Sequence, residues 1–470
     1  MFDLIIYFYK VTKYFIYFCI FLNACIINII NYKLTLTIND NLLKYLHYSV
    51  DLNGCILIKL VQWVTTNLEM LGYKDTDNVY ILFSSFYENC YIHDLSYTKK
   101  LFMKEINSDF DSTIILDNSF EIKSGSIAQV YKASIDNNMD IAIKIVHPDI
   151  NYQLIFPIIF IKIYKYLVKK ISFLNCYDTV FIFDSFFKNI ISQTNMLNEY
   201  SNMKYFYNEY IDNPCIIIPE PLFATNNILI MEYVDGYKFD EITTSIVEKT
   251  KICTLFNLYL KDAYYFKDYY HSDLHQSNWK VRKYNDFYQL IIYDFGYITS
   301  NKIHNKSKII TYANDILNIE MLCIETYDIL LNCKFTKEEF IIEFNKYIIE
   351  SNIIYREPFC NDVIKIMYKF LVINNIYIES YMFELFISMM LFNKYVTKHL
   401  QLKKIGISNT NNLISSYLNS IQICEKYNIF PKLSDYYNET YINNSEINNT
   451  YEYSDDYLNK LNNIDNSIDI

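Results

Sequence analysis

An α+β fold of two lobes is what this chain predicts, and three observations carry the prediction. Ile141 to Val146 is a β-branched run preceded by a glycine-bearing turn. Two polar segments, His271-Ser-Asp-Leu-His-Gln-Ser-Asn278 and Tyr293-Asp-Phe-Gly296, follow in mid-chain, and residues 308–425 place apolar clusters at helical spacing. The 470 residues suffice for one two-lobed unit of about 250 to 300 residues with helical flanks.

Taken in order, residues 1–35 are apolar, and Tyr14 to Ile30 is nearly unbroken between Lys10 and Lys13 on one side and Lys33 on the other. That stretch fits either a short membrane span or a buried or interfacial helix. Residues 36–110 read as a helical extension and 111–235 as the first lobe. In Ser124-Gly-Ser-Ile-Ala-Gln-Val-Tyr-Lys-Ala133, Ile127, Val130 and Tyr131 favour strand, while Gly125 permits close backbone approach. The next strand alternates so that Lys144 faces away from its immediate neighbours, and Pro148 stops it. Helices are expected over Tyr152–Phe173 and Asp184–Tyr210, and strands over Ile216–Pro221 and Ile228–Val234. Gly236 opens a helical second lobe, 236–432, in which Phe383 to Leu391 reads as core. Residues 433–470, rich in Asn, Ser, Tyr and acids, are expected to be disordered.

The two polar segments carry chemistry. A phosphoryl-transfer loop places an Asp five residues ahead of an Asn, and a following Asp-Phe-Gly holds magnesium against nucleotide phosphates. Asp273, Asn278 and Asp294 fill those places. An amide oxygen and a carboxylate suit a hard cation such as Mg2+. Lys144 then becomes the residue that meets the phosphates of ATP, and Ser124, Gly125, Ser126, Ala128 and Gln129 the loop that covers them. Ile230-Met-Glu-Tyr-Val-Asp235 is the hinge, with Met231, Glu232 and Val234 beside the nucleotide. The chain has only six glycines, and Gly125, Gly236 and Gly296 fall at positions where φ/ψ freedom is expected to matter. The competing reading of His-x-Asp-x-His as a metallohydrolase centre lacks companions, because His47, His93, His147, His304 and His399 are scattered. The fold expected on these grounds is bilobal and protein-kinase-like.

These residues resemble one family, the UbiB or aarF-domain-containing atypical kinases, over roughly residues 50 to 300. Ser126-Ile-Ala-Gln-Val130 reproduces its phosphate loop, and Ile141 to Pro148 its lysine strand. The catalytic loop departs from His-Ala-Asp-Pro-His-Pro-Gly-Asn at Leu274, Gln276 and Ser277. The family's Lys-x-Gly-Gln helix, which folds over the peptide groove, is matched by Lys59-Leu-Val-Gln62 except at Val61; the i, i+3 spacing sets Lys59 and Gln62 on one face, toward the nucleotide. The family's Glu-x-Asp followed by Glu-Ala and Asn resembles Gln193 to Asn202, which makes Glu199 the partner of Lys144 and leaves Gln193 and Asn195 uncharged. The neutral Gln193 is most similar to the type-2 aarF-domain kinases. Aminoglycoside and choline kinases share the His-x-Asp-Leu-His form but lack the upstream motifs. A conventional Ser/Thr kinase is disfavoured because no Arg precedes Asp273 and no Ala-Pro-Glu follows Asp294.

The resemblance implies an ATP- and magnesium-dependent kinase or ATPase acting in coenzyme Q biosynthesis or membrane lipid homeostasis. Catalysis would rest on Asp273, Lys144 and Glu199, with Asn278 and Asp294 as metal ligands. The implied partners are a nucleotide and membrane lipid or lipid-biosynthetic enzymes, at a mitochondrial or cytoplasmic membrane face; a homo-oligomer stays open. The alternatives are a pseudokinase scaffold at a membrane and a small-molecule phosphotransferase. A net charge of −11 with no basic run argues against nucleic acid. Eleven cysteines without a Cys-x-x-Cys pair read as reduced core residues.

Overall fold

The computed structural model describes residues 2–70, 82–83, 85–87, 90–135, 139–168, 187–242, 246–274, 276–285, 287–300, 323–324, 326–327, 330–350, 361–378 and 429–430. Three helices open the chain: α1 (Phe2–Thr35), α2 (Asp40–Asn53) and α3 (Cys55–Met70). Asn39 caps α2 by accepting from the backbone N–H groups of Asn41 and Leu42, and Gly54 ends it at φ 78°. Helix α1 does not stand apart. Asn53 donates to its Tyr17 carbonyl at 2.9 Å, and its Asn28 donates to the Leu42 carbonyl at 2.9 Å. Its Tyr14, Phe18 and Ala24 are buried, whereas Leu4, Ile5, Phe8, Phe15, Ile26 and Ile29 are exposed.

Helix α4 (Leu95–Ile106), capped by Asp94, lies against the first-lobe sheet. The sheet runs in the order β1 (Ile115–Leu116), β3 (Ala128–Ile135), β4 (Met139–Val146), β7 (Ile228–Glu232), β6 (Pro221–Ala224), with β2 (Lys123–Ser124) also on β3. All pairings are antiparallel. Register fixes the two faces. Lys144 is opposite Val130 and Leu229, and Ala142 is opposite Met231, so these side chains share the face turned to the second lobe. Tyr131, Ala133, Ile141, Ile143, Ile145, Ile228 and Ile230 form the other face, packed with Leu101 and Phe102 of α4 and with Phe110 and Ile114.

Beyond β4 come α5 (Ile150–Val168), whose Phe156 stacks on Phe18 of α1, and α6 (Met196–Tyr210). The helix expected over Asp184–Tyr210 is interrupted: residues 187–193 are helical, and Asn195 then starts α6 afresh by accepting from the Leu197 N–H at 3.0 Å. The strand expected over Ile216–Pro221 is two strands. β5 (Ile216–Ile217) pairs in parallel with the second lobe, and β6 pairs in the first. Pro219 between them has no N–H to continue a ladder.

The second lobe is not all helical. Around α7 (Ile246–Phe266) it carries the antiparallel hairpin β9 (Trp279–Tyr284) and β10 (Phe287–Ile292) beside β5, and the short pair of β8 (Tyr269–His271) with β11 (Ile298–Ser300). Two later helices, α8 (Lys337–Glu350) and α9 (Asn361–Ile373), pack through Phe340, Phe344 and Phe370. The tail 433–470 and the segment Phe383–Leu391 lie outside the described residues.

Candidate nucleotide site

The site forms where the inner sheet face meets α6 and the two polar loops. Met196, Glu199, Met203, Phe206 and Tyr210 make the buried stripe of α6, so a carboxylate occupies a position that spacing assigns to the core. Glu199 is 2 % exposed, and its Oε1 accepts from Lys144 Nζ at 2.8 Å. Lys144 lies as close to Asp294, at 2.9 Å from Oδ1. One buried ammonium thus serves two carboxylates, of which Asp294 keeps 44 % of its side chain exposed.

Protonation states follow from that crowding. Burial disfavours the Lys144 ammonium, but Asp294 and Glu199 outweigh it and hold Lys144 above the ordinary lysine value. Burial pushes the Glu199 carboxyl up to about 7, against the pull of Lys144 and with the push of Asp294. Enclosure also disfavours charge on Asp294, yet the Lys144 ammonium holds it well below the usual carboxylate range. Glu199 Oε2 is buried with no hydrogen-bond partner. A buried carboxyl oxygen without a hydrogen-bond partner beside the Asp294 carboxylate is a setting that a cation relieves.

Asp294 sits at φ 57°, the left-handed region, with the Gly296 N–H donating to its Oδ1 at 3.3 Å. Neighbours hold that turn. Asn202 of α6 donates to the Phe295 carbonyl at 2.9 Å, Phe295 packs on Phe206 and His271, and the Tyr293 hydroxyl donates to the Val234 carbonyl at 2.8 Å. Tyr293 therefore ties the Asp-Phe-Gly strand to the hinge. This residue and His271, whose Nε2 meets the Tyr293 carbonyl at 3.1 Å, were not singled out from the sequence for these roles.

In the segment from His271 to Asn278, Asn278 donates its amide at 2.7 Å to the carbonyl of Asp273, five residues earlier. The amide's oxygen is the atom type that magnesium takes, and with Asp294 it makes an all-oxygen donor pair. Among the described residues no group of three or more His, Cys, Asp or Glu is placed to hold a metal ion, as a zinc centre would need. The Asp273 carboxylate is engaged by Lys59 of α3, with Nζ to Oδ2 at 2.6 Å.

Other expected residues sit elsewhere. Gln129 lies opposite Ile145, so the pleat turns it to the outer face. There it is fully buried, accepts from the His93 N–H at 2.8 Å and donates to the Tyr131 hydroxyl, which corrects the expectation that its side chain reaches the nucleotide. The Ser124 hydroxyl donates to the Tyr91 carbonyl at 2.6 Å. Gln62 shares a face of α3 with Lys59 but donates to the Phe86 carbonyl at 2.9 Å. Asn195 is a helix cap, accepting from the Leu197 N–H. Met231 and Val234 are buried at the hinge, and Glu232 accepts from the Glu220 N–H at 3.2 Å. Ser126 and Ala128 lie at the turn from β2 into β3, where the Gly125 N–H donates to the Ala128 carbonyl at 2.9 Å. The reason given for the glycines also changes. Among the described glycines Gly54 is the one with positive φ, whereas a Cβ on Gly236 would stand 2.7 Å from Ile291 Cδ1, so close packing selects glycine there.

Comparison with known proteins follows the same outline. The sequence pattern described as "ABC1 atypical kinase-like domain" matches residues 89–327, a little over half of the 470-residue chain. The chain is 23 % identical over 250 residues to the "Probable serine/threonine-protein kinase abkC" of Dictyostelium discoideum, covering 51 % of this chain and 34 % of that protein. It is 25 % identical over 178 residues to an aarF domain-containing protein kinase of Arabidopsis thaliana described as chloroplastic, covering 37 % and 24 %. With the mouse "AarF domain-containing protein kinase 1" it shares 21 % over 208 residues, covering 42 % and 39 %. The matched stretch thus spans between about a quarter and two fifths of these relatives' own length. The solved Rv3197–erythromycin complex of Mycobacterium tuberculosis is 14 % identical at a TM-score of 0.42, covering 66 % of this chain and 83 % of that one. That score is too low for shape alone to assign a fold.

Proposed function

Because the chain belongs to the ABC1 atypical kinase-like family of UbiB and aarF-domain proteins, we propose that it binds ATP with magnesium and transfers or hydrolyses the terminal phosphate. The observation that carries this reading is Lys144 held between Glu199 and Asp294, one ammonium shared by two carboxyl groups between the lobes. In it Lys144 meets the nucleotide phosphates and Glu199 holds Lys144 in place. Asn278 and Asp294 hold the magnesium, which when bound offsets phosphate charge. Asp273 orients the acceptor hydroxyl, and the Lys59 ammonium at 2.6 Å must release that carboxylate or leave with it partly neutralised.

The proposed setting is a membrane, in coenzyme Q biosynthesis or lipid homeostasis as the family resemblance implies. Its support is α1, in which Leu4–Thr35 is long and apolar enough, by length and composition, to cross a bilayer, and of which 17 % of the most apolar window is buried. A second reading, a nucleotide-binding scaffold without turnover, is favoured by the Lys59–Asp273 pair alone. A phosphotransferase acting on a small molecule stays within the first reading and differs only in the acceptor.

The deciding measurement is the melting temperature with and without magnesium-ATP, for the wild type and Asp294→Asn, together with steady-state ATP turnover. Nucleotide binding raises stability by RT ln(1 + [L]/Kd), about 2.7 kcal/mol at a hundredfold excess over Kd. A rise lost in Asp294→Asn, with turnover, is the expected result; a rise without turnover selects the scaffold, and no rise rejects nucleotide binding.

A further inference from the structure

On the outer face of the same sheet, two buried histidines stand ring to ring beneath the phosphate loop. His93 precedes α4 and His147 follows β4, and their Nδ1 atoms are 2.8 Å apart. His147 Nε2 meets the Gly125 carbonyl at 3.0 Å and the Ser124 hydroxyl at 3.4 Å. His93 Nε2 meets Thr98 Oγ1 at 3.0 Å, Thr98 Oγ1 meets the Tyr131 hydroxyl at 2.8 Å, and Gln129 donates to that hydroxyl. All five side chains lie within the buried core.

The direction of every hydrogen in this chain follows from its end. A carbonyl only accepts, so His147 Nε2 carries a proton. With a neutral ring its Nδ1 is bare, and the proton between the rings belongs to His93 Nδ1. His93 Nε2 is then bare and accepts from Thr98, which accepts from Tyr131, which accepts from Gln129. Each donor is used once, and the chain runs one way from Gln129 to Gly125. It also has a second anchor, because the Gln129 carboxamide grips the backbone N–H and carbonyl of His93, at 2.8 and 3.2 Å. Seven residues before His93, Phe86 holds Gln62 of α3, the helix whose Lys59 reaches Asp273. The phosphate loop is thus bound to the N-terminal extension through two imidazoles.

We propose that His147 and His93 are a positioning pair that holds the Ser124–Gly125 turn in its phosphate-binding shape, and that a proton taken up by the pair breaks the contact between the rings and so uncouples the turn from the N-terminal extension. This rests on the nucleotide reading of the site. A second proton on either ring sets N–H against N–H across 2.8 Å, or N–H against the Thr98 hydroxyl, so the one-way chain cannot persist. Burial disfavours the charged rings, lowering His147 below the ordinary histidine value against the Gly125 carbonyl, which favours its charged form, and His93 to about 4, where His147 lowers it further. The other titratable groups facing the pair are Asp94, which favours the charged form of His93, the Tyr97 ring edge-on to His93, the Tyr91 ring 6.0 Å from His147, and Tyr131. The unfolded chain therefore binds more protons than the native one below pH about 6.5, and the pair's contribution is lost as pH falls from there toward 4.

The test uses the full chain with His147→Phe, which removes the contact, and His147→Gln, whose amide can still donate to a carbonyl. Two readouts separate this inference from the nucleotide reading. The first, without nucleotide, is amide hydrogen exchange at residues 124–128. Faster exchange in His147→Phe, at least partial recovery in His147→Gln, and wild-type exchange that quickens below pH about 6 more than the intrinsic pH dependence allows are expected. Unchanged exchange in His147→Phe overturns the proposal. The second is affinity for magnesium-ATP, expected to weaken about tenfold or more in His147→Phe while global unfolding in urea stays cooperative. If the loop loosens but the wild type binds no magnesium-ATP, the nucleotide reading fails and the pair keeps only its hold on the turn. If His147→Phe binds as the wild type does, the pair does not serve the nucleotide.

Discussion

The two faces of the first-lobe sheet solve the burial of polar groups in opposite ways. The inner face gathers Lys144, Glu199 and Asp294, where one ammonium is shared by two carboxyl groups and one Glu199 oxygen is left without a hydrogen-bond partner. The outer face gathers His93, His147, Thr98, Tyr131 and Gln129, all neutral, in a chain where each donor meets an acceptor. Alternation alone separates them, since Val130 and Lys144 point one way and Gln129 and Tyr131 the other. The difference shows which face is built to exchange partners. A neutral, closed chain gains nothing from a ligand, whereas a unit with two carboxylates on one ammonium and an orphaned oxygen is completed by one.

Removing the shared cation is the strongest way to break this contrast. Lys144→Met strands Glu199 in the core and is expected to cost about 3–5 kcal/mol in urea unfolding, the range for a buried pair that loses one member. Glu199→Met on the Lys144→Met background should return part of that cost, and no recovery would mean that the lost partner of Glu199 does not set it. On the outer face, Thr98→Val interrupts the neutral chain at its middle, and about 1–3 kcal/mol is expected from unsatisfied partners. Added salt should change the Thr98→Val cost little, because no charge is lost.

A pH series sharpens the comparison further. Glu199 is protonated more readily in the native state than in the unfolded chain, so its contribution is present below pH about 4.5 and is lost as pH rises through about 7. The slope is limited to about 1.4 kcal/mol per pH unit for one proton. Glu199→Gln should remove that descending component and leave the ascending one that the histidines impose. A melting profile unchanged by Glu199→Gln would reject the raised carboxyl. The smallest effect is expected from Asn195→Ala, which removes the α6 cap for about 1 kcal/mol and should weaken magnesium-ATP binding less than Asp294→Asn does.

Much of the inner face was legible in the residues. Asp273, Asn278 and Asp294 stood out through spacing, because the loop read for phosphoryl transfer is a short linear pattern. Lys144 declared itself as a lone charge in a β-branched run. Glu199 was reached through resemblance, although Met196, Met203, Phe206 and Tyr210 around it already placed a carboxylate on a core stripe. The hairpin β9–β10 went unforeseen because Trp279 to Ile292 follows the catalytic loop directly and its turn at Asn285 lacks a glycine.

The outer face was beyond reach for a different reason. His93 and His147 are 54 residues apart, and each looked like one of several scattered histidines. Gln129 sat inside a motif read as a phosphate loop, and nothing in the string of letters says to which side of the pleat it turns until register with Ile145 is known. Lys59 likewise needed α3 laid against the catalytic loop before its partner Asp273, 214 residues away, could be named. Local spacing encodes which atoms a short loop presents, so the order of residues already carries the pattern of the two polar loops and the lysine strand. Strand register and helix docking are cooperative results of burying apolar surface over the whole chain. For that reason the histidine pair, the Lys59 contact and the shared hold of Glu199 and Asp294 on Lys144 exist only once the lobes and the N-terminal helices are packed.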